Sequence, residues 1–349
     1  MNSAATERRD PWLRFALDAE RMDAPVYTAL ARAIAADEEV RALTVNARAH
    51  QPHPNLLFGA VHCLLLRGEA DGTIRRYYKT LGGEAPIDAG LYPAFREFCL
   101  ANAARLRPLV ETRVTNTNEV GRSALLHLGF RALAATAGGP LQLVEIGPSA
   151  GINMFWDRFS YRYTRAGEVF PSGVAHASLT LDCELRGLNL PSFGPSPTVG
   201  RRIGLERDPV DLTIGENRDW LRALVWPDHP ARLARLNAAL ALTAAAHPDI
   251  RKGDALALLP DALAELPETG SACVYHTIVT YQFSAEERDA LDSILVMAGL
   301  RRPVWTLAFE GRADLTYHLT LTRHSAGAKE SRELALCHPH GAWAEWLVP

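Results

Sequence analysis

The stretch Glu145-Ile146-Gly147-Pro148-Ser149-Ala150-Gly151 gathers the residue types best suited to hold a ligand. It ends the apolar run Leu141–Ile146 and opens onto 152–159, so it reads as a turn between a buried strand and a helix. Small residues at Gly147, Ser149 and Gly151 let the backbone bend sharply and let a ligand approach. The helix that follows would offer unpaired N–H groups to a polar or anionic group. Glu145 and Asn153 flank the turn with a carboxylate and an amide.

Three chemistries fit such a turn. A dinucleotide site needs G-x-G-x-x-G, and that spacing is absent. A hydrolase nucleophile elbow needs G-x-S-x-G, which Gly147–Gly151 supplies. Ser149 would be the nucleophile, with a downstream acid and His276, His318, His324, His338 or His340 as base. That fold also needs several strands before the elbow, and no strand pattern precedes Leu141; Pro148 would strain the elbow as well. The third chemistry is the E-x-G-x-[GS]-x-G turn of a nucleoside-binding methyltransferase, where Glu145 suits a cationic ligand such as S-adenosylmethionine.

Residues further along follow the third pattern in order. Arg202–Glu206 reads as a strand whose terminal carboxylate can accept from both ribose hydroxyls, with Asp208 and Asp211 as competitors for that role. Asp254, after Lys252-Gly253, can accept from an adenine amino group or cap the next helix. His276 lies near the C-terminal end of the run 272–279, where open α/β sheets bind ligands; it is the candidate general base, or else a core histidine. Asn118, Glu119 and Arg122 form a polar cluster in apolar surroundings, suited to contact substrate or to cap and pair locally. Trp220, Arg222 and Trp226 are expected to pack against an insertion, and Tyr77-Tyr78-Lys79 to reach the site from the helical half or to pack at the surface. His338-Pro339-His340 has no identifiable third ligand, so no metal is expected.

The elements that would position these residues fall into two parts. Residues 1–138 are Ala-, Leu-, Arg- and Glu-rich with apolar positions at helical spacing, which predicts a helical cap domain. Gly138-Gly139-Pro140 breaks the pattern. Over 139–349 short apolar runs alternate with helical stretches, which predicts a doubly wound, mostly parallel α/β sheet closed by an antiparallel hairpin. Residues at about 160–200 do not fit the alternation and read as an insertion made of a small hairpin and a long loop.

Composition sets the class of partner. Apolar residues are 48% and charged residues 22%, enough for a sizeable core, and the net charge of −3 gives no bulk attraction to nucleic acid or acidic membranes. A small-molecule substrate is therefore expected, with neither a nucleic-acid nor a membrane partner. Five scattered cysteines without a C-x-x-C, and no apolar leader, point to the cytoplasm.

Glu145-x-Gly147-x-Ser149-x-Gly151, Glu206, Gly253-Asp254 and the terminal strand pair together resemble the class I S-adenosylmethionine-dependent methyltransferase superfamily over 139–349. The resemblance implies a seven-stranded sheet and S-adenosylmethionine as cofactor, held by Glu145, Gly147, Ser149, Gly151, Asn153, Glu206 and Asp254. It places His276 at the chemistry and Asn118, Glu119 and Arg122 at the acceptor. Ser149 in place of the middle glycine and the long insertion before Glu206 depart from the pattern. The absence of an N-P-P-Y motif after the fourth strand leaves room for a nucleoside-binding protein without catalysis. The whole chain also resembles a family of bacterial proteins of unknown function, through Gln51-Pro52 with Asn55-Leu56-Leu57, Thr117–Arg122, Trp220–Ala223 with Val225-Trp226-Pro227, and His340-Gly341 with Trp346. That resemblance implies no reaction.

Overall fold

The first helix starts where its cap dictates: Asp10 accepts hydrogen bonds from the amides of Trp12 and Leu13, and Pro11 supplies a preset φ. The computed structural model describes residues 10–194 and 196–349. In chain order the helices are α1 (Pro11–Arg21), α2 (Pro25–Ile34), α3 (Glu38–Arg41), α4 (His53–Arg67), α5 (Leu91–Ala101), α6 (Ala103–Thr112), α7 (Arg122–Thr136), α8 (Gly215–Ala223), α9 (Pro230–Ala246), α10 (Ala255–Ala264) and α11 (Ala285–Gly299). The strands are β1 (Leu141–Ile146), β2 (Ser160–Arg165), β3 (Glu168–Gly173), β4 (Thr180–Arg186), β5 (Val199–Glu206), β6 (Ile250–Lys252), β7 (Ser271–Thr277), β8 (Val304–Gly311), β9 (Tyr317–Ser325), β10 (Ala328–Cys337) and β11 (Trp343–Trp346). No described helix is long and apolar enough to cross a membrane.

The chain divides into two units: the described residues up to Thr117 with Thr213–Asn237, and Asn118–Leu212 with Ala238–Pro349. The first is helical around an aromatic core. Tyr27 stacks on Phe58 at 4.1 Å, Trp12 meets Phe58 edge-on and Phe15 lies 5.3 Å from Trp226. Trp220 and Trp226 therefore pack in this core rather than against the insertion; Trp220 also donates its indole N–H to the Val114 carbonyl at 2.8 Å. Tyr77 and Tyr78 are buried in the same core, not at the surface. His62 is bound on both ring nitrogens, to the Ala223 carbonyl and the Thr80 hydroxyl, and burial pushes its imidazole down to about 4, so it is a neutral core residue.

The second unit overturns the expected seven-stranded, mostly parallel doubly wound sheet. It holds one mixed sheet of eleven strands in the order β3-β2-β4-β11-β10-β9-β8-β7-β1-β5-β6. The segment β8-β7-β1-β5-β6 is continuously parallel. Strands β9, β10 and β11 continue from β8 as an antiparallel meander, β4 and β2 then join in parallel, and β3 closes the edge antiparallel. Two features account for the difference. The expected insertion is amphipathic with period two: Tyr161, Tyr163, Leu181, Cys183 and Leu185 bury one face, so its strands join the sheet instead of standing apart. The four residues of β11, too short to show a pattern, bridge β10 to β4.

Register fixes which side chains share a face. Glu145 pairs with Tyr275 and Gly204, whereas Ile146 pairs with His276 and Leu205. Val144, Ile146, Ile203 and Leu205 pack against Leu259 of α10 and Leu291 of α11. On the opposite face α7 approaches closely, with Phe130 edge-on to Tyr275 at 5.1 Å. The expected helix after the turn is a seven-residue 3-10 segment, Ile152–Arg158, irregular at Phe155. Residues 152–156 are all buried, and a regular α-helix would have turned part of that run toward solvent.

Candidate functional site

Strand β1 is the point where the parallel segment changes direction. After β2, β3 and β4 at the far edge, the chain adds β5 and β6 on one side of β1, then returns to β7 and β8 on the other. The crevice at the carboxyl ends of such strands is the usual ligand position in open α/β sheets, so the loops there are the place to look.

The β1 turn is tightly built. Gly147, Ser149 and Gly151 all have left-handed φ values, +71°, +56° and +78°. The Gly151 amide donates to the Pro148 carbonyl at 2.8 Å, and a Cβ on Gly147 would stand 2.7 Å from Val279. Gly147 is therefore the contact between the β1 turn and the loop after β7. Ser149 is buried, and its amide donates to Oε2 of Glu206 at 2.9 Å. Oε1 of Glu206 accepts from the amide of Asp208 at 3.2 Å. Of the competing acids after β5, Glu206 is thus the one built into the turn, while Asp208 contributes its backbone and Asp211 is exposed.

The polar cluster before α7 is stitched onto the same turn. Asn118 Oδ1 accepts from the Ile152 amide at 3.2 Å, so the first amide of the 3-10 segment already has a protein partner. Buried Asn153 accepts from the Ser123 hydroxyl at 2.8 Å and donates to the Glu119 carbonyl. Glu119 accepts from the Gly121 amide and lies 3.1 Å from Nδ1 of His340. Arg122 donates to the carbonyls of Pro339 and Thr277, both at 3.0 Å, and so ties the 338–341 loop to the tip of β7.

Glu145 is fully buried and accepts from the Tyr275 hydroxyl at 2.9 Å. Burial pushes its carboxyl up to about 8; Glu206 adds to the rise, and the Tyr275 hydrogen bond and Arg122 oppose it. At neutral pH Glu145 is therefore mainly a neutral acid, not the negative charge its type suggests. Asp254 does what a cap does: one oxygen accepts from the amides of Leu256 and Ala257, and the other pairs with Arg207 at 3.1 Å. These contacts outweigh its partial burial and hold its carboxyl below the ordinary range.

His276 lies at the tip of β7, buried, with Nδ1 2.6 Å from Oε1 of Glu310. Glu310, near the end of β8, also accepts from the amides of Val279 and Thr280. Burial works to raise its carboxyl, but His276 and these amides prevail and hold it below the ordinary range. Ile278, between them, has φ +55°, a genuine outlier for a β-branched residue. Sequence reasoning missed Glu310 and Ile278. The acid closing the apolar run 303–309 was a usable signal, since Glu145 and Glu206 sit in the same way near the ends of β1 and β5. Nothing in a sequence marks an isoleucine with positive φ. Among the described residues no three His, Cys, Asp or Glu side chains are grouped to hold a metal ion.

The chain belongs to a bacterial family described as an uncharacterized protein conserved in bacteria (DUF2332), whose model matches residues 9–346. No curated protein and no solved structure matches it.

Proposed function

We propose that this family member binds a nucleoside ligand, specifically S-adenosylmethionine, at the tips of β1, β5 and β7, and serves as a methyltransferase for a small-molecule acceptor. The observation that carries this reading is the Glu206 carboxylate, held by the Ser149 and Asp208 amides at the point where the strand order reverses. A carboxylate has about four acceptor positions, and each Glu206 oxygen accepts one of these amides, so the acceptor capacity left fits the two hydroxyls of a ribose diol. When bound, S-adenosylmethionine supplies an electrophilic methyl group. The chain's own contribution is to hold the nucleoside beside the Gly147–Gly151 turn and to take the acceptor's proton on His276. Glu145, neutral before binding, can ionise beside a cation. Asn118, Glu119 and Arg122 brace the loops around the acceptor.

A hydrolase reading draws support from the left-handed backbone of Ser149, which a nucleophile elbow requires. Its weakness is the depth of that serine and the order Ser149, His276, Glu310, which differs from the Ser–acid–His order of that class.

A thermal-shift titration of the full chain with S-adenosylhomocysteine separates these readings. The expected result is a rise in Tm of several degrees at saturating ligand, since about 2.7 kcal/mol accrues at a hundredfold excess over Kd. No shift at millimolar ligand, with ester hydrolysis that Ser149→Ala abolishes, would replace this reading by the hydrolase. A shift without methyl transfer to any acceptor would reduce the function to nucleoside binding.

A further inference from the structure

We propose that Glu310 is a positioning residue, which fixes His276 in the Nδ1–H tautomer and presents Nε2 as a proton acceptor at the tip of β7. The consequence, resting on the site assignment above, is an acceptor substrate that reacts through an O–H, N–H or S–H group.

The tautomer follows from donor counting. The amides of Val279 and Thr280 can only donate, and both point at the Glu310 carboxylate, at 2.9 Å and 3.3 Å to Oε1. Oε1 accepts from both amides, and although burial works to raise the carboxyl, His276 and these amides hold it below the ordinary range, so at neutral pH it is ionised and has no proton to give. Nδ1 of His276, 2.6 Å from the same oxygen, must therefore carry the proton of that contact. In a neutral imidazole this leaves Nε2 bare.

The backbone shows that the arrangement is imposed. Ile278 sits in the left-handed region, a strained conformation for a β-branched residue, and its φ of +55° turns the next two amides toward Glu310. The Ile278 amide is held by the Phe309 carbonyl at 2.7 Å, and Arg122 grips the Thr277 carbonyl at 3.0 Å. In register His276 pairs with Ala308, two residues before Glu310, so histidine and carboxylate emerge on one face of the sheet. Taking a proton breaks the X–H bond of the acceptor, leaves the electron pair on X and forms Nε2–H. Glu310 balances the charge gained by the ring.

The test is long-range 1H–15N correlation spectroscopy on the full chain labelled with 15N-histidine, at a pH where the ring is neutral. The His276 signals are identified by their loss in His276→Gln. The expected result for wild type is a protonated Nδ1 and a bare Nε2, replaced by tautomer averaging in Glu310→Ala and restored in Glu310→Asp. A protonated Nε2 in wild type, or an unchanged His276 pattern in Glu310→Ala, overturns the proposal. The wild-type spectrum needs no ligand, so it stands or falls separately from the methyltransferase reading.

Discussion

Replacing Glu145 by Gln is expected to make the protein more stable than wild type in mildly alkaline solution and to remove part of the pH dependence of its Tm. In the unfolded chain this carboxyl ionises near 4.5, whereas burial in the fold holds its proton up to about 8. Between those values the folded protein keeps a proton that the unfolded chain has released, so stability falls as pH rises. The contribution is fully present below 4.5 and is lost as pH passes through about 8. Each unit of that interval corresponds to about 1.4 kcal/mol, so the whole effect is on the order of several kcal/mol. The groups facing Glu145 are Tyr275 on β7, Glu206 on β5 and Arg122 on α7. Glutamine keeps an oxygen for the Tyr275 hydroxyl and cannot ionise. Melting curves from pH 5 to pH 9 should show the two proteins close together at the acid end and Glu145→Gln ahead at the alkaline end. Parallel curves would mean that Glu145 is already ionised in the fold.

The second large effect is expected at Gly341, where Val should cost more than about 3 kcal/mol and stop the chain from folding normally. Gly341 has φ +74°, and a Cβ there would stand 2.0 Å from the Gly121 carbonyl oxygen. That neighbour is backbone, so no side chain can move aside. The contact holds the 338–341 loop on the start of α7, alongside the Glu119–His340 and Arg122–Pro339 contacts. Gly68 is the control: it ends α4 at φ +65°, and a Cβ there would meet nothing within 4 Å, so Gly68→Ala should cost only about 1 kcal/mol. Urea unfolding measures both, and equal losses would show that the loop is not docked in this way.

Much of the sheet's centre was legible because its pattern is local. The run Leu141–Ile146 is β1 to the residue. The outer strands were not legible, because their partners are remote. Tyr161 and Leu181 announce a buried face, but only β11 decides that the face continues the same sheet. At the site the sequence located the Gly147–Gly151 turn, Glu206 and His276 at strand tips, as the structure has them. What it could not supply is how their hydrogen bonds are spent. Asp254 serves a helix cap, Asn118 takes the amide at the start of the 3-10 segment, and Glu145 is neutralised by burial. Glu310 is far from His276 in sequence and became visible only once β7 and β8 lay side by side.

The most direct test of the nucleoside site is titration calorimetry of S-adenosylhomocysteine into wild type and into Glu206→Gln, with circular dichroism confirming that both are folded. The expected result is one-site binding to wild type, and affinity at least tenfold weaker in the variant, because the carboxylate proposed to meet the ribose would have lost its charge. Absence of heat with wild type at millimolar ligand, or equal affinity in the two proteins, would contradict a ligand held at the tips of β1 and β5.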